Sequence, residues 1–415
     1  MRQHLLKNAS HEELHFITQE WLFWARDKQL PPERDFRVWL LLAGRGFGKT
    51  RAGSEWVHQL ARVKDRHIGL VGGSASDVRY VMVEGPSGIL QTGHEEERPK
   101  WFSSKNQLIW PNGTIARCFS ADTPGQLRGP EFHFAWADEV AKWRYSEAWD
   151  NLMLGLRKGD CPQILATTTP RPLGWLAELA KAPDTALVVG KTVENQANLA
   201  QGFIAAMRQA YGQSDLARQE LDGELLADYP GALFSRAQLA AIVAKPPERA
   251  QFIRIVIGVD PAIGGANETG IIIAGKTIDN QLWILADHSL NAPPHIWSAK
   301  IRQYFQQWRA ESVVVEINQG GDLVTHLLRQ NGTPLPVRTV RAMKQKAARA
   351  EPIAAAYARG EIWHGGVFTE LVDQMVSFCP SAPHNQPSPD RLDAAVWALH
   401  ALMTGAQTQS HELRF

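Results

Sequence analysis

Residues 38–57 read VWLLLAGRGFGKTRAGSEWV, and this stretch decides how the first half of the chain is interpreted. An apolar run typical of a buried strand leads into a glycine-rich loop, and a helical pattern follows. Such glycines let backbone N–H groups turn toward phosphate oxygens, while the lysine neutralises their charge and the threonine hydroxyl binds Mg²⁺. The sequence predicts an ATP site with this set of residues: Gly44, Arg45, Gly46, Gly48, Lys49 and Thr50.

A second motif supplies the acids that ATP hydrolysis needs. Residues 132–139 read FHFAWADE, an apolar run that ends in two adjacent carboxylates. At the end of a buried strand, Asp138 would join the Mg²⁺ shell and Glu139 would orient or deprotonate the attacking water. The alternative is a strand that merely ends in two solvated acids.

Two further positions belong to the predicted nucleotide site. The strand-like QILATTT ends in Thr167, Thr168 and Thr169, whose hydroxyls would contact the terminal phosphate or the attacking water, and among them we assign Thr168 to the nucleotide. The alternative is a threonine-rich strand end with ordinary turn chemistry. Arg128, just ahead of the acidic strand, would stabilise transition-state charge in its own subunit or in a neighbouring one. The alternative there is a loop arginine paired with a surface acid.

The order of strand-like and helix-like segments predicts two α/β domains. In the first half they alternate, which indicates a mostly parallel sheet and a P-loop ATPase domain of the ASCE or RecA-like kind over residues 1–226. Pro246 and Pro247 punctuate a linker that we place at 227–250. Residues 251–415 begin with three closely spaced strands and continue with helix–strand units, an order typical of an RNase H-like nuclease domain.

Four acids in the second half predict a second metal site. Asp260 and Glu316 end apolar strands, whereas Asp390 and Asp393 lie three residues apart on one face of a helix. In an RNase H-like order these elements converge, so the carboxylates would hold two divalent ions, Mg²⁺ or Mn²⁺, for DNA cleavage. The alternative is a set of ordinary strand ends and a helix cap.

A basic run between these acids is the candidate DNA contact. It comprises Arg338, Arg341, Lys344, Lys346 and Arg349. Such a run would hold a phosphodiester backbone without reading sequence. The alternative is a solvated helix face.

Composition restricts the compartment and the partners. The 415 residues carry a net charge of +1, so DNA contacts must come from local clusters. Three cysteines without a CxxC pair fit a reducing compartment. The apolar runs are too short for a membrane span, and the first residues lack a signal-peptide pattern. We therefore expect a bacterial cytoplasmic protein that is not secreted and has no membrane role.

Taken together, these motifs resemble the large terminase subunit of tailed bacteriophages over nearly the whole chain. Residues 24–57, WARDKQLPPERDFRVWLLLAGRGFGKTRAGSEWV, are especially similar to the prophage and gene-transfer-agent branch. The resemblance implies that Lys49 and Thr50 belong to Walker A, that Asp138 and Glu139 form Walker B, and that Thr167–Thr169 form the coupling motif. It implies a nuclease triad of Asp260, Glu316 and Asp390, with Asp393 as a further contributor because Pro389 replaces the first of two adjacent acids.

The same resemblance implies the biology of the molecule. A homo-oligomeric ring at the portal of a procapsid would hydrolyse ATP, translocate double-stranded viral DNA and cut concatemers. Portal protein and a small terminase subunit would be its partners, and Gln29 would correspond to the adenine-contacting glutamine. Two other functions remain open: a host helicase-nuclease of DNA repair or recombination, and a non-catalytic prophage protein for DNA binding or assembly.

Overall fold

The computed structural model describes residues 10–212, 214–229, 231–262, 268–317, 324, 327–328, 334–341, 346–380, 389–404 and 413–414. The chain divides into two compact units, Met1–Leu226 and Ala227–Phe415. In the part of the chain so described, no helix is both long and apolar enough to cross a bilayer.

The first unit is built on an eight-stranded sheet of order β3-β4-β5-β2-β6-β7-β1-β8. Its strands are β1 (Val38–Ala43), β2 (His67–Gly72), β3 (Lys100–Phe102), β4 (Gln107–Ile109), β5 (Ile115–Ser120), β6 (Phe134–Asp138), β7 (Gln163–Thr168) and β8 (Thr185–Gly190). The six strands from β5 to β8 in this order run parallel, and β3 and β4 add an antiparallel edge. The predicted mostly parallel α/β sheet is confirmed.

Helices cover this sheet because its central strands are apolar on both faces. They are α1 (His11–Gln19), α2 (Trp21–Trp24), α3 (Lys49–Ala61), α4 (Ala75–Asp77), α5 (Glu147–Gly155), α6 (Gly174–Lys181), α7 (Phe203–Tyr211) and α8 (Asp215–Glu220), with a π-helical turn at Val78–Val83. Helix α3 lies close to the sheet because Gly53 faces the buried Trp136. A Cβ on Gly53 would lie 2.2 Å from the Trp136 ring.

The second unit has a seven-stranded sheet of order β14-β11-β10-β9-β12-β13-β15. The strands are β9 (Phe252–Asp260), β10 (Gly270–Thr277), β11 (Leu282–Asp287), β12 (Ser312–Glu316), β13 (Val337–Arg341), β14 (Ile362–His364) and β15 (Leu413–Arg414). Strands β9, β10 and β11 form the antiparallel meander, whereas β12 joins β9 in parallel. This order agrees with the RNase H-like prediction.

The helices of the second unit are α9 (Arg236–Ala241), α10 (Pro294–Trp308), α11 (Lys346–Ala358), α12 (Thr369–Ser377) and α13 (Asp390–Met403). Residues 227–250, which the sequence assigned to a linker, lie within this unit. Phe234, Leu239 and Ile242 are buried in its core with α13, so apolar packing incorporates the segment into the domain.

Candidate functional site

The loop between β1 and α3 has the backbone that a phosphate-binding loop requires. Gly46 and Gly48 have φ values of +74° and +97°, which side-chain-bearing residues rarely adopt. A Cβ on Gly46 would also lie 2.9 Å from Leu199. Gly48 is the N-cap of α3. The N-terminus of α3 therefore opens onto the loop, and its unpaired N–H groups favour an anion there.

Lys49 connects this loop to the acidic strand end. Its buried Nζ donates to the Ala43 carbonyl at 2.9 Å and to Thr169 Oγ1 at 3.0 Å, and lies 3.7 Å from Glu139 Oε1. Burial lowers the pKa of Lys49, while the charge of Glu139 opposes that shift. A cation held between these groups fits the phosphates of a nucleotide, as the sequence predicts.

Asp138 ends β6 and is held by a hydrogen-bond relay. The indole N–H of Trp136 donates to Thr167 Oγ1 at 3.2 Å, and Thr167 donates to Asp138 Oδ1 at 2.6 Å. Burial and the neighbouring charge of Glu139 raise the pKa of Asp138 to about 6. The relay orients the carboxylate expected to serve the metal, because the Thr167 proton is committed to it.

Glu139 follows in a strained backbone conformation with φ of +50°. Strained residues of this kind concentrate at functional sites. Its Oε2 accepts from the Thr169 N–H at 3.3 Å and lies 3.3 Å from the Lys142 ammonium. Burial alone would raise the pKa of Glu139, but the charges of Lys49 and Lys142 outweigh it and lower the pKa. The carboxylate is therefore ionised and available as a base.

A cavity of about 540 Å³ joins these groups. The predicted nucleotide residues that line it are Arg45, Gly46, Gly48, Lys49, Thr50 and Glu139, and Thr169 lines it as well. The structure thus brings most of the predicted nucleotide residues to one cavity. Asp138 is buried behind its lining, where it contacts Thr167.

Thr168 and Arg128 are placed differently from the sequence prediction. Thr168 accepts from the Ala141 N–H at 3.2 Å and lies outside the cavity lining, whereas Thr169, the first residue after β7, lines the cavity. The Arg128 side chain is 69% exposed and pairs with Glu147 of its own subunit at 2.7 Å. The described residues therefore give Arg128 no contact with the cavity of its own subunit.

Three side chains from outside the loop hold its backbone in place, and no sequence motif connects the three. Arg26 donates to the Phe47 carbonyl and, at 2.6 Å, to Asn195 Oδ1. Gln29 donates to the Gly48 carbonyl at 3.1 Å, and Asn195 donates to the Gly46 carbonyl at 2.6 Å. These side chains fix the loop backbone. Gln29, expected to contact adenine, here contacts the loop itself.

The second candidate site begins where two parallel strands end together. The register of β9 and β12 pairs Val259 with Val315, so the next residues, Asp260 and Glu316, lie at the same sheet edge. Helix α13 approaches this edge closely because β9 and β10 present glycines. A Cβ on Gly258 would lie 2.1 Å from a carbonyl oxygen of α13.

That close approach brings the acids of α13 toward the strand ends. A Cβ on Gly270 would lie 2.0 Å from the Asp390 carbonyl, and both Asp390 and Asp393 are buried. Burial raises the pKa of Asp260 well above its usual value, and the charges of Asp393, Glu316 and Asp390 add to the rise in that order. The ends of β9 and β12 and the start of α13 therefore bring the four predicted acids to one edge of the unit.

Two basic side chains occupy the space among these carboxylates. Lys346 Nζ lies 2.5 Å from Asp393 Oδ2, and Arg349 Nη1 lies 3.4 Å from Glu316 Oε2. Trp397 also donates to Glu316 Oε2, at 2.7 Å. Accordingly, within the residues described, no three His, Cys, Asp or Glu side chains stand close enough to ligate one ion. The charge effects on Asp260 extend over longer distances than ligation does.

The basic run is therefore only partly a solvent-facing surface. Arg349 is 5% exposed and stacks on the Trp397 ring at 4.8 Å, whereas Arg338 pairs with Glu311 at 2.9 Å. Lys344 lies outside the described residues. Lys346 and Arg349 contact the acids of the second candidate site, and their predicted contact with DNA stays a prediction.

An oxygen-rich donor set of this kind fits hard divalent cations such as Mg²⁺ or Mn²⁺. The structural observation behind that fit is the convergence of the ends of β9 and β12 with the start of α13, since a divalent cation would offset the repulsion among the carboxylates there. Asp260, Glu316, Asp393 and Asp390 are the residues that would hold it.

Two family models match the chain, and together they cover most of it. The model of the terminase large subunit, T4likevirus-type, N-terminal, matches residues 40–241, and the model of the terminase RNaseH-like domain matches residues 257–402. The chain belongs to the large terminase subunits. It is accordingly an ATPase and a nuclease of DNA packaging, and the predicted recognition and activities are confirmed.

Solved structures similar to this large terminase are also phage terminases. A large terminase from a thermophilic bacteriophage is 15% identical, with 95% of this chain and 99% of that chain covered and a TM-score of 0.42. The large terminase of bacteriophage HK97 is 14% identical, with 88% of this chain and 91% of that chain covered and a TM-score of 0.45. The ATPase domain of Thermus phage P74-26 is 16% identical over 52% of this chain and 98% of that chain, with a TM-score of 0.40. No curated protein gives a significant match.

Proposed function

We propose that the Lys49 cavity binds ATP with Mg²⁺ and that its hydrolysis moves double-stranded DNA into a procapsid. The observation that carries this proposal is the position of Lys49 Nζ, 3.7 Å from Glu139 Oε1 at the wall of the cavity. A phosphate-binding cation and an ionised carboxylate thereby line the same cavity.

Each residue of the cavity has a distinct part in hydrolysis. The loop N–H groups and Lys49 bind the phosphates, and Thr50 and Asp138 would hold Mg²⁺, which supplies charge neutralisation when bound. Glu139 accepts a proton from the attacking water, which its lowered pKa permits. Thr169, bound to both Lys49 and Glu139, connects the phosphate side of the site to the base.

The second unit cuts the DNA. Asp260, Glu316, Asp390 and Asp393 would hold divalent ions, which activate water and stabilise the leaving oxygen when bound. Both α13 acids are buried at this edge, and Asp393 is additionally paired with Lys346 and Arg349. Trp397 and Arg349 orient Glu316 by donating to its Oε2.

The setting of this activity is the cytoplasm of a bacterial host. There the protein forms a ring at the portal of a procapsid, with the portal protein and a small terminase subunit as partners. Membership of the large terminase family supports these assignments.

The proposal is tested by separating the two chemistries. Lys49→Ala should lose ATP binding and turnover. Glu139→Gln should retain binding but lose turnover by about 100-fold or more, because a carboxamide cannot take the proton. Asp260→Asn should lose DNA cleavage and keep ATP turnover. Glu131→Gln is the matched control, since Glu131 is a surface acid of the first unit paired with Arg157. Full turnover in Glu139→Gln would refute the ATPase site.

A further inference from the structure

A group of basic side chains lies at the amino ends of the parallel strands, away from the nucleotide cavity. His67 begins β2 and His133 precedes β6, and their rings meet edge to face with centroids 5.9 Å apart. Lys158 extends its Nζ to 3.3 Å from His67 Nδ1. Phosphate loops of parallel sheets lie at the carboxyl ends instead. This basic cluster is therefore a separate feature.

Hydrogen bonds fix the tautomers of both imidazoles. The Lys158 ammonium has only donors, so His67 Nδ1 accepts from it. The backbone N–H of His67 donates to His133 Nδ1 at 3.0 Å. Each neutral ring consequently carries its proton on Nε2. The cluster thus adds two N–H donors to its ammonium and guanidinium groups.

Arg66 and Arg117 complete the basic cluster. Arg66 stacks on the Phe134 ring at 4.7 Å, and Arg117 is exposed on β5. Burial and then the charge of Lys158 lower the pKa of both histidines; Arg117 lowers the pKa of His67 further, and Arg66 that of His133. These mutual effects show that the positive groups act on one another across a small area.

Acids do not balance the charge of the basic cluster. Over the described residues, Arg66, Arg117 and Lys158 form no salt bridge, and Asp65 is the one acid that acts on His67. Neighbouring basic residues differ, because Arg62 pairs with Glu97 and Arg157 with Glu131. Clustered cations repel one another unless an anion neutralises them.

We propose that this basic cluster binds the phosphodiester backbone of duplex DNA. The inference rests on the proposed DNA-translocating function and adds a second DNA contact, located on the ATPase unit. Several cations with two fixed N–H donors suit successive phosphates, and contacts to phosphates alone predict binding without sequence selectivity. An acidic protein segment is the competing occupant, and it would not require DNA affinity.

The test uses the full chain and a fluorescent duplex of about 30 base pairs, with anisotropy measured at several salt concentrations. The double variant Arg117→Gln with Lys158→Gln should weaken DNA binding roughly tenfold near physiological salt. It should also lower the slope of log K against log salt by about two, because each lost phosphate contact removes about one unit. Arg66 is left intact because its stacking on Phe134 supports the core.

Lys100→Gln with Lys105→Gln is the matched control, since it removes two exposed positive charges from the same unit outside the cluster. ATP turnover without DNA reports the proposed function independently and should be normal in both double variants. Equal DNA affinity and salt slope in the two double variants would overturn the inference while leaving the ATPase assignment intact. Selective loss of DNA affinity in the cluster variant supports it.

Discussion

Trp397 donates its indole N–H to Glu316 Oε2 at 2.7 Å, so a tryptophan of α13 fixes a carboxylate at the end of β12. Arg349 donates to the same oxygen and stacks on the same ring. The orientation of Glu316 is thus set by one aromatic side chain and one cation.

Trp397→Phe should reduce DNA cleavage about tenfold and weaken Mn²⁺ binding, because orienting partners of a ligand typically contribute this much. ATP turnover should be unchanged. The control is Trp297→Phe, which removes a buried indole whose N–H has no partner among the described residues. Calorimetric Mn²⁺ titration and plasmid nicking provide the two measurements. Equal behaviour of the two variants would contradict an orienting role for Trp397.

Arg349→Met should make the stability of the second unit depend on divalent metal. The arginine offsets the repulsion among buried carboxylates, and without it only Lys346 and a bound ion do so. We expect Mn²⁺ to raise the melting temperature of this variant several degrees more than that of the parent chain. Arg349→Lys keeps the charge and should show a smaller excess. Identical metal-induced shifts in all three proteins would argue against this role.

Thr169→Val should lower ATP turnover about tenfold or more, since the Thr169 hydroxyl contacts Lys49 in the cavity. Thr168→Val should leave turnover nearly normal, because its hydroxyl contacts Ala141 instead. Steady-state hydrolysis by both variants decides between the two threonines. A larger loss in the Thr168 variant would reinstate the assignment made from the sequence.

Arg128 should act on the active site of a neighbouring subunit. Its exposed pairing with Glu147 contributes only about 0–1 kcal/mol, so the side chain can leave it at low cost. Mixing Arg128→Ala with Glu139→Gln subunits should restore part of the hydrolysis that each lacks alone. Activity must be compared under conditions in which assembly is demonstrated. Mixtures that never exceed the summed activities would favour a structural arginine.

Acid should destabilise the first unit through His58. Burial lowers the pKa of His58 to about 4, against an ordinary value of 6.5. As pH falls from about 6.5 toward about 4 the unfolded chain binds the proton first, so the free energy of unfolding decreases by roughly 3 kcal/mol. Above a pH of about 6.5, His58 is neutral in both the folded and the unfolded chain, so it no longer makes the free energy of unfolding depend on pH. Urea unfolding near neutral pH and again near the folded-state pKa should show a smaller loss for His58→Leu than for the surface variant His295→Gln.

The conformation of residues 44–50 could be predicted from the sequence, because the glycine-rich loop, the lysine and the start of the helix follow one another directly along the chain. The convergence of Asp260 and Glu316 could be predicted because each acid ends an apolar strand, and strands can be recognised from hydrophobic periodicity. The direction in which a threonine side chain points at the end of β7 could not be predicted from the sequence. The choice between Thr168 and Thr169 depends on where β7 stops, and a shift of one residue reverses the face.

The basic run illustrates a different limit. The sequence predicted a contact with a DNA backbone, with a solvated helix face as the alternative, and neither includes the burial of Arg349 among Glu316, Asp393 and Trp397. Glu316 lies 33 residues away in sequence, and the other two partners come from a different helix. Contacts between distant positions depend on the tertiary fold, so local pattern cannot supply them. The supporting contacts of Arg26 and Asn195 were missed for the same reason.

The close fit of Gly53 beneath Trp136 constrains how this sequence can diverge. Any side chain at position 53 would overlap the indole that also begins the relay to Asp138. A smaller residue at position 136 would make room, but it would remove the donor to Thr167. The two positions can therefore change only as a pair, together with a new partner for that threonine. Substitutions in α3 at position 53 are thus constrained by the hydrogen bond that Trp136 of β6 donates to Thr167.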